Sequence, residues 1–296
     1  MRHMESQTIQ TVRVGVDDKL DLGGQVRQDC RSFAYASSEQ QALRSWLLAF
    51  PVLAVDMTVK DLLRLAETVG LQNPSDDLLR GVPWPVAWPL TARDLQRMDE
   101  TDDAVFYSSA RLVKHIDDSA IRSIKDYYQV QFQPSSAVLD ICSSWVSHFP
   151  EMHLARAVGL GMNAEELAQN QQLTEFVVKD LNKDPSLPFH DNDFDTVVNV
   201  VSVDYLAHPL EVFRDIFRVL KPGGMAIMSF SNRFFQSKAI KLWLEIGEIQ
   251  RCQVVSWYFK FAGFGDITAK DLTSSLGHDP VYVVQGVKPV KPQEEL

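Results

Sequence analysis

Three residues that could do chemistry, Tyr107, Arg111 and His115, follow one another at intervals of four. On a helix these three residues would share one face, and a helix is predicted over residues 108–128. A guanidinium matches a carboxylate because its fork meets two oxygens, and an imidazole has its ordinary pKa near neutrality and can act as a general base. The alternatives stay open: Arg111 could pair with the aspartates at 117 and 118, and His115 could be a packed or solvated side chain.

A second group of candidates follows an apolar run. Asp140 ends the run, and the chain continues as Ile141-Cys142-Ser143-Ser144-Trp145-Val146 without a glycine. Because ligands bind beyond the carboxyl ends of parallel strands, polar groups placed here face a ligand site. Ser143 and Ser144 can offer hydroxyls or backbone N–H groups, and Trp145 can either wall a pocket or fill it.

The elements that would position these residues are short apolar runs alternating with helical segments between 137 and 230. The predicted buried strands are "AVLDI", "ARAVGL", "EFVVKDL", "FDTVVNVVSV" and "GMAIMSFS". Continuous rather than alternating apolar strands indicate a parallel sheet covered on both faces. We therefore predict an α/β fold, a doubly wound Rossmann-like and mostly parallel sheet. "FGDITAKDL" and "PVYVVQGVK" predict a C-terminal antiparallel hairpin at its edge.

The chain is predicted to divide into a mainly helical N-terminal extension, 1–100, and an α/β domain, 101–296. The first part of the extension, residues 1–38, is polar and predicts a partly ordered arm. Helices are predicted over 39–73 and from Thr91 towards Asp99. Between them "GVPWPVAWPL" must be extended or turning because proline blocks regular helix, and Trp84 and Trp88 are expected to pack this connector onto a body.

Composition narrows the function classes. Acidic residues outnumber basic ones, 39 to 29, and the net charge of −10 disfavours a nucleic-acid partner. No apolar run reaches the 18 or so residues that a membrane span needs, so a soluble protein is expected. Cys30, Cys142 and Cys252 show neither metal-ligand spacing nor a disulfide framework. We expect no metal and a reducing compartment, either the cytoplasm or an organelle after removal of a targeting segment.

The block "LPFHDNDFDTVVNVVSVDYLAHPLEVFRDIFRVLKPGGMAIMSFSNR", residues 187–233, resembles class I S-adenosylmethionine-dependent methyltransferases. "VLD" at 138–140 and "VVKDL" at 177–181 fall at the separations expected for that family, and the resemblance covers roughly residues 105–288. It implies S-adenosylmethionine as cofactor and S-adenosylhomocysteine as product. The implied activity is direct methyl transfer to a small-molecule acceptor.

The resemblance also implies a cofactor site. Asp140 would lie near the methionine part, Asp180 would accept from the adenine amino group, and the backbone of Leu181 would donate to the base. Arg111 would hold the cofactor carboxylate. The full set of implied cofactor-binding residues is Tyr107, Arg111, Asp140, Cys142, Ser143, Ser144, Trp145, Gly161, Met162, Asn163, Asp180, Leu181 and Val200. Against these roles, Asp180 could be a helix cap or loop acid.

Two departures from the family pattern stand out. Cys142, Ser144 and Val146 occupy the three positions where the family has glycine, so the turn must have another shape. Gly161 stands where the family places an acid for the ribose, and it is expected to leave room there. Met162 could pack on the adenine face. Asn163 is a good N-cap for "AEELAQN", and this cap is its favoured role, although it could still reach a hydroxyl.

Residues that could contact the methyl acceptor lie after the fourth and fifth predicted strands, and His115 lies before the first. His115, Asp204 and Tyr205 are the candidate catalytic residues. For Asp204 a helix cap, and for Tyr205 a core aromatic, is the competing interpretation. Asn232 and Arg233 could line the acceptor site, where an arginine would favour an acidic substrate. A set of aromatic residues before the hairpin is read mostly as core, with a roof over an acceptor pocket as the alternative: Trp243, Trp257, Tyr258, Phe259, Phe261 and Phe264.

Two other functions compete with the small-molecule enzyme. The lost glycines and lost ribose acid are compatible with a catalytically inactive binding or assembly module, which predicts that Trp145 fills the methionine site. Methylation of a protein or an RNA is the third possibility, and the acidic balance disfavours RNA. The chain could act as a monomer or as a homodimer.

Overall fold

The computed structural model describes residues 77–290. The predicted arm 1–38, the predicted helices over 39–73 and Cys30 lie outside the described residues.

Seven strands form a single sheet in the order β3-β2-β1-β4-β5-β7-β6. They are β1 (Ala137–Ile141), β2 (Arg156–Gly161), β3 (Glu175–Val178), β4 (Phe194–Val200), β5 (Leu220–Phe230), β6 (Gly265–Asp271) and β7 (Tyr282–Val287). Strands β1 to β5 pair in parallel, whereas β7 pairs antiparallel with β5 and β6. The predicted mostly parallel Rossmann-like sheet and its C-terminal antiparallel hairpin are confirmed.

Four of the six α-helices within residues 77–290 begin at a side-chain cap or at a proline. The six are α1 (Asp103–Phe106), α2 (Asp118–Gln131), α3 (Ala164–Gln169), α4 (Pro209–Val219), α5 (Lys241–Glu245) and α6 (Glu248–Ala262), with a 3₁₀ helix at Val203–Tyr205. The Asp117 side chain accepts from the N–H of Ala120 and starts α2. Pro209 opens α4, because its missing N–H costs nothing there.

The sheet is covered on both faces, as continuous apolar strands require. Leu139 of β1 and Val197 of β4 belong to a core cluster shared with α4 and α6. Their neighbours Val138 and Val198 belong to a second cluster, shared with α2. Successive side chains of a strand point to opposite faces, so these two clusters lie on opposite sides of the sheet.

The predicted helix over 108–128 is wrong in its first half. The helix α2 begins only at Asp118, and residues 107–117, here called the covering loop, are not helical. Side chains from α3 bind this loop instead: Glu166 accepts from the N–H of Arg111, and Asn163 donates to the carbonyl of Tyr107. Tyr107, Arg111 and His115 therefore do not share a helix face.

The predicted helix from Thr91 towards Asp99 is also wrong. This segment forms turns and then an isolated antiparallel bridge between Arg97 and Ile240. The N–H of Lys241 donates to Gln96 and that of Leu242 to Asp94, because the segment after β5 offers backbone partners that a helix would forgo.

Residues 77–100, which the sequence assigned to an extension, pack against the sheet domain. The ring of Trp88 lies 6.0 Å from that of Tyr258 and 5.7 Å from that of Phe261, and Trp84 packs on the same core. The expected packing of the connector is confirmed. The boundary at 100/101 remains a prediction, but described residues on both sides of it contribute to one core.

Pro222, Gly223 and Gly224 lie within β5, whose register with β4 shifts at this point. Gly223 has φ +81° there, a conformation that glycine adopts without strain.

Candidate functional site

A cavity of about 410 Å³ lies at the carboxyl ends of β1, β2 and β4, under the covering loop. This volume is in the range of small-molecule sites, about 300–1,000 Å³. Of the residues singled out from the sequence, the following line it: Tyr107, Arg111, His115, Asp140, Cys142, Ser143, Ser144, Trp145, Gly161, Met162, Asn163, Asp180, Leu181, Val200 and Tyr205. Asp204 does not.

The glycine-free first loop takes a shape of its own. Cys142, at the first glycine position, has φ +54°, which a side chain adopts only at some cost. The N–H of Ser143 donates to Leu160, so the loop crosses the end of β2. Burial raises the pKa of the Cys142 thiol to about 12, and the thiol therefore stays protonated.

Asp140 is buried beside this loop, where the hydroxyl of Ser143 donates to Oδ2 at 2.6 Å. Burial raises the pKa of Asp140 to about 7, although hydrogen bonds from Ser143 and Ser147 oppose the shift. A carboxyl group with this pKa is partly protonated at neutral pH. It can donate to a ligand as well as accept from one.

Gly161 was expected to leave room for a ligand, but it does not. A Cβ atom at this position would overlap the backbone carbonyl oxygen of Ser143, well inside the 3.0 Å that real Cβ atoms keep. The space is occupied by the first loop itself. Glycines in the first loop would let its backbone pass close to another element. Here the first loop has no glycine, and the close contact is possible because Gly161 of β2 has no side chain.

Trp145 forms part of the cavity wall and does not fill the cavity. Its indole N–H donates to the carbonyl of Val113 at 3.1 Å, which fixes the ring against the covering loop. The ring therefore links the first loop to the covering loop.

Arg111 is the cavity cation with the least satisfied side chain. Its Nη2 donates to the carbonyl of Phe106 at 2.7 Å, while Nη1 is buried without a partner. The guanidinium stacks 4.3 Å from the ring centre of Phe106, and the structure shows no ion pair between it and an aspartate of the covering loop or α2. Asp117 caps α2 and Asp118 pairs with Lys114. A buried unpaired guanidinium N–H is costly unless a ligand accepts from it.

Two histidines border the cavity. The ring of His115 lies 5.6 Å from that of Phe235, edge to face, and burial lowers its pKa. His148 is buried, has φ +55°, and its Nδ1 has no partner. Burial lowers the pKa of His148 to about 4. Both imidazoles are therefore neutral at neutral pH.

The candidates after β4 separate. The Tyr205 hydroxyl accepts from the N–H of Phe235 at 2.8 Å and keeps its own proton for a ligand. Asp204 is buried in the 3₁₀ helix, outside the cavity lining, and burial raises its pKa to about 8. A direct role in the cavity does not fit this position.

The candidates after β5 separate as well. Asn232 and Arg233 line the cavity, but Arg233 is exposed and pairs with Asp279 at 2.7 Å. The aromatic set Trp243 to Phe264 belongs to the core and does not roof the cavity.

At the end of β3, Asp180 accepts the N–H of Asn182 through Oδ1 at 2.8 Å, which leaves Oδ2 for a ligand. Asn163 is largely committed: its Oδ1 caps α3 by accepting two backbone N–H groups, and its amide donates to Tyr107. The cap predicted for Asn163 is confirmed.

A cluster of charged residues in the wall had no signal in the sequence. Asp103 accepts two hydrogen bonds from Arg97 and one from Asn182, and it forms an ion pair with Lys238. The side chains of Arg97, Asp103 and Lys238 are 6%, 4% and 1% exposed. Asn182 and Lys238 are far in sequence from Arg97 and Asp103, so only the fold brings the four residues together. Glu166 was missed for a different reason: it reads as an ordinary first-turn acid of α3.

No helix within residues 77–290 is long and apolar enough to cross a membrane. In the same residues no group of three or more His, Cys, Asp or Glu side chains is placed to hold a metal ion.

Comparison with known proteins gives one family and several relatives. Residues 155–228 match the family model of a methyltransferase domain. The chain is 27% identical over 167 residues to cycloartenol-C-24-methyltransferase 1 of Oryza sativa subsp. japonica, covering 49% of this chain and 48% of that protein. It is 27% identical over 96 residues to a malonyl-[acyl-carrier protein] O-methyltransferase of Marinomonas sp., covering 32% of this chain and 34% of that protein. The chain thus spans about half or less of the length of these curated relatives.

Among solved structures, the chain is similar to an S-adenosylmethionine-dependent methyltransferase of Mesorhizobium loti. The TM-score is 0.41 at 13% identity, over 56% of this chain and 97% of that one. The matched segment 155–228 runs from β2 through most of β5 and includes Asp180. Residues 155–228 of the chain are thus similar to a methyltransferase domain.

Proposed function

We propose that this chain is an S-adenosylmethionine-dependent methyltransferase that acts on a small-molecule acceptor. The observation that carries the proposal is one cavity at the carboxyl ends of the parallel strands whose wall holds Asp140, Asp180 and the unpartnered nitrogen of Arg111. The relatives named for cycloartenol and for malonyl-[acyl-carrier protein] support a small acceptor.

The residues present fit this cofactor. Arg111 offers its buried Nη1 to the cofactor carboxylate, and Asp180 offers its free Oδ2 to the adenine amino group. Leu181 supplies its backbone N–H to the base, and Met162 an apolar contact. Ser143, Ser144 and Trp145 border the methionine end, with Asp140 behind them.

When bound, the cofactor would supply an electrophilic methyl group on its sulfonium, to which an acceptor lone pair could bond in line as the methyl–sulfur bond breaks and S-adenosylhomocysteine leaves. The chain's part is to position the acceptor and exclude water. His115, neutral because burial lowers its pKa, takes the proton from an acceptor O–H or N–H. The Tyr205 hydroxyl donates to the acceptor and orients it.

Calorimetric titration with S-adenosylhomocysteine tests the proposal. We expect wild-type protein to bind it, and Asp180→Ala to bind it about tenfold or more weakly, because one charged hydrogen bond is lost. Asp191→Ala, which removes an exposed acid paired with Arg218, is the matched control and should bind like wild type. If wild-type protein binds neither the cofactor nor its product, the proposal fails.

A second prediction concerns pH. The base form of His115 is the neutral imidazole, so activity should fall as the pH drops below the lowered pKa and should be flat above it. Because burial lowers this pKa from 6.5, we expect the fall to lie below pH 6.5. His115→Gln should remove this limb of the kcat/KM profile while S-adenosylhomocysteine still binds. An unchanged profile in the variant would exclude His115 as the base.

A catalytically inactive binding module remains the second candidate. It is favoured by the bond between Ser143 and Asp140, which occupies the carboxyl at the methionine end. The position of Trp145 in the wall speaks against it. This candidate would be favoured if the protein bound S-adenosylhomocysteine but methylated none of the acceptors offered to it.

A further inference from the structure

Glu166 is a buried carboxylate in the cavity wall that lies on the first turn of α3. Its Oε1 accepts the N–H of Arg111 at 2.7 Å, and its Oε2 accepts the hydroxyl of Ser144 at 2.6 Å. No lysine or arginine of residues 77–290 forms an ion pair with it. An ionised carboxylate accepts about four hydrogen bonds, so about two positions remain for a ligand.

The other carboxyl groups of the cavity have either a local partner or a role already assigned to them. Asp140 accepts from Ser143, and Asp103 is held by Arg97 and Lys238. Asp180 lies at the β3 end, where the adenine is placed. Glu166 is therefore the cavity acid whose unused hydrogen-bond acceptor positions have no assigned partner.

Position 161 cannot carry an acid in this fold. Any side chain there would overlap the carbonyl oxygen of Ser143, because the first loop crosses β2 at this point. Glu166 lies five residues further along, next to Met162 and Asn163 in the same wall, and its N–H donates to the Asn163 side chain. An acid can reach this end of the cavity from α3 but not from β2.

We propose that Glu166 binds the ribose hydroxyls of the cofactor and replaces the acid that Gly161 excludes. Two neutral donors leave a buried carboxylate short of hydrogen bonds, and hydroxyl groups supply them without a charge to neutralise it. The inference rests on the proposed function, because it assumes that S-adenosylmethionine occupies the cavity.

A double-mutant cycle with modified ligands tests it by calorimetry. The ligands are S-adenosylhomocysteine and its 2′-deoxy and 3′-deoxy analogues, and the proteins are wild type, Glu166→Gln and Glu165→Gln. Glu165 is the exposed neighbour on the same turn, so its variant removes the same charge without touching the cavity. We expect Glu166→Gln to weaken product binding roughly tenfold to a hundredfold, and Glu165→Gln to have little effect.

The analogues separate ribose binding from loop positioning. In wild type and in Glu165→Gln, removal of at least one hydroxyl should cost about tenfold in affinity. In Glu166→Gln the same removal should cost clearly less than in wild type, because the charged acceptor is gone and glutamine offers only one neutral oxygen. Equal losses in all three proteins would overturn the inference, since Glu166 would then only hold Arg111 and Ser144. If Glu166→Gln does not fold, Glu166→Asp replaces it, with the same outcomes. Absence of product binding to wild type would instead reject the proposed function.

Discussion

Replacing Asp103 by asparagine is expected to lower the free energy of unfolding by about 3–5 kcal/mol, the usual cost of removing one partner from a buried ion pair. Asparagine keeps the size and one acceptor but leaves Arg97 and Lys238 without a buried counter-charge. Both cations come from segments that meet above the cavity. Urea or thermal unfolding followed by circular dichroism measures the loss.

The matched control is Asp102→Asn, one residue away. Asp102 pairs with the exposed Lys183 and caps α1, and asparagine caps helices as well as aspartate, so little change is expected. Equal stability of Asp103→Asn and wild type would show that water reaches the cluster and screens it.

The same cluster predicts a pH dependence. Burial alone would raise the pKa of Asp103, but hydrogen bonds from Asn182, Arg97 and Lys238 lower it below 3.8. A lowered carboxyl pKa stabilises the fold above the unfolded-state pKa, and this stability is lost as the pH falls through the folded-state pKa. The stability difference between wild type and Asp103→Asn should therefore be full at neutral pH and shrink below pH 3.8.

Gly161→Ala is expected to lower the free energy of unfolding by about 1–3 kcal/mol or more, as overpacking does. The new methyl group would overlap a backbone atom, the Ser143 carbonyl oxygen, which cannot rotate away. The first loop must then move, so S-adenosylhomocysteine should also bind more weakly. Gly161→Asp, which restores the acid typical of the family, should be worse rather than better.

Gly265→Ala is the control for this substitution. A Cβ there would meet its nearest atoms at 3.5 Å and 4.0 Å, ordinary contacts, so its stability and product affinity should stay close to those of wild type. If Gly161→Asp folds normally and binds the product more tightly, the first loop does not occupy the space beside β2 as described.

Local sequence patterns were sufficient to predict the strands of the sheet and some of the helix starts. The continuous apolar runs of β1, β2 and β4 are explained by burial on both faces, and Asn163 and Pro209 begin their helices as local rules require. The positions of Asp140 and Asp180 at strand ends follow from the same pattern, since strand ends meet at one edge of a parallel sheet.

The tertiary structure decided what surrounds that edge. The sequence predicted a helix over 108–128, but its first half is the covering loop, whose backbone is bound by the side chains of Asn163 and Glu166. The partners of Arg111, the cluster around Asp103 and the contact between Ser143 and Gly161 join residues between 5 and 135 positions apart. Spacing along the chain does not predict such contacts, because they depend on which segments the sheet brings together. The amino-acid pattern therefore predicts the sheet and the edge that holds the cavity, whereas the packing of distant segments sets which side chains of the cavity keep unpaired hydrogen-bonding groups.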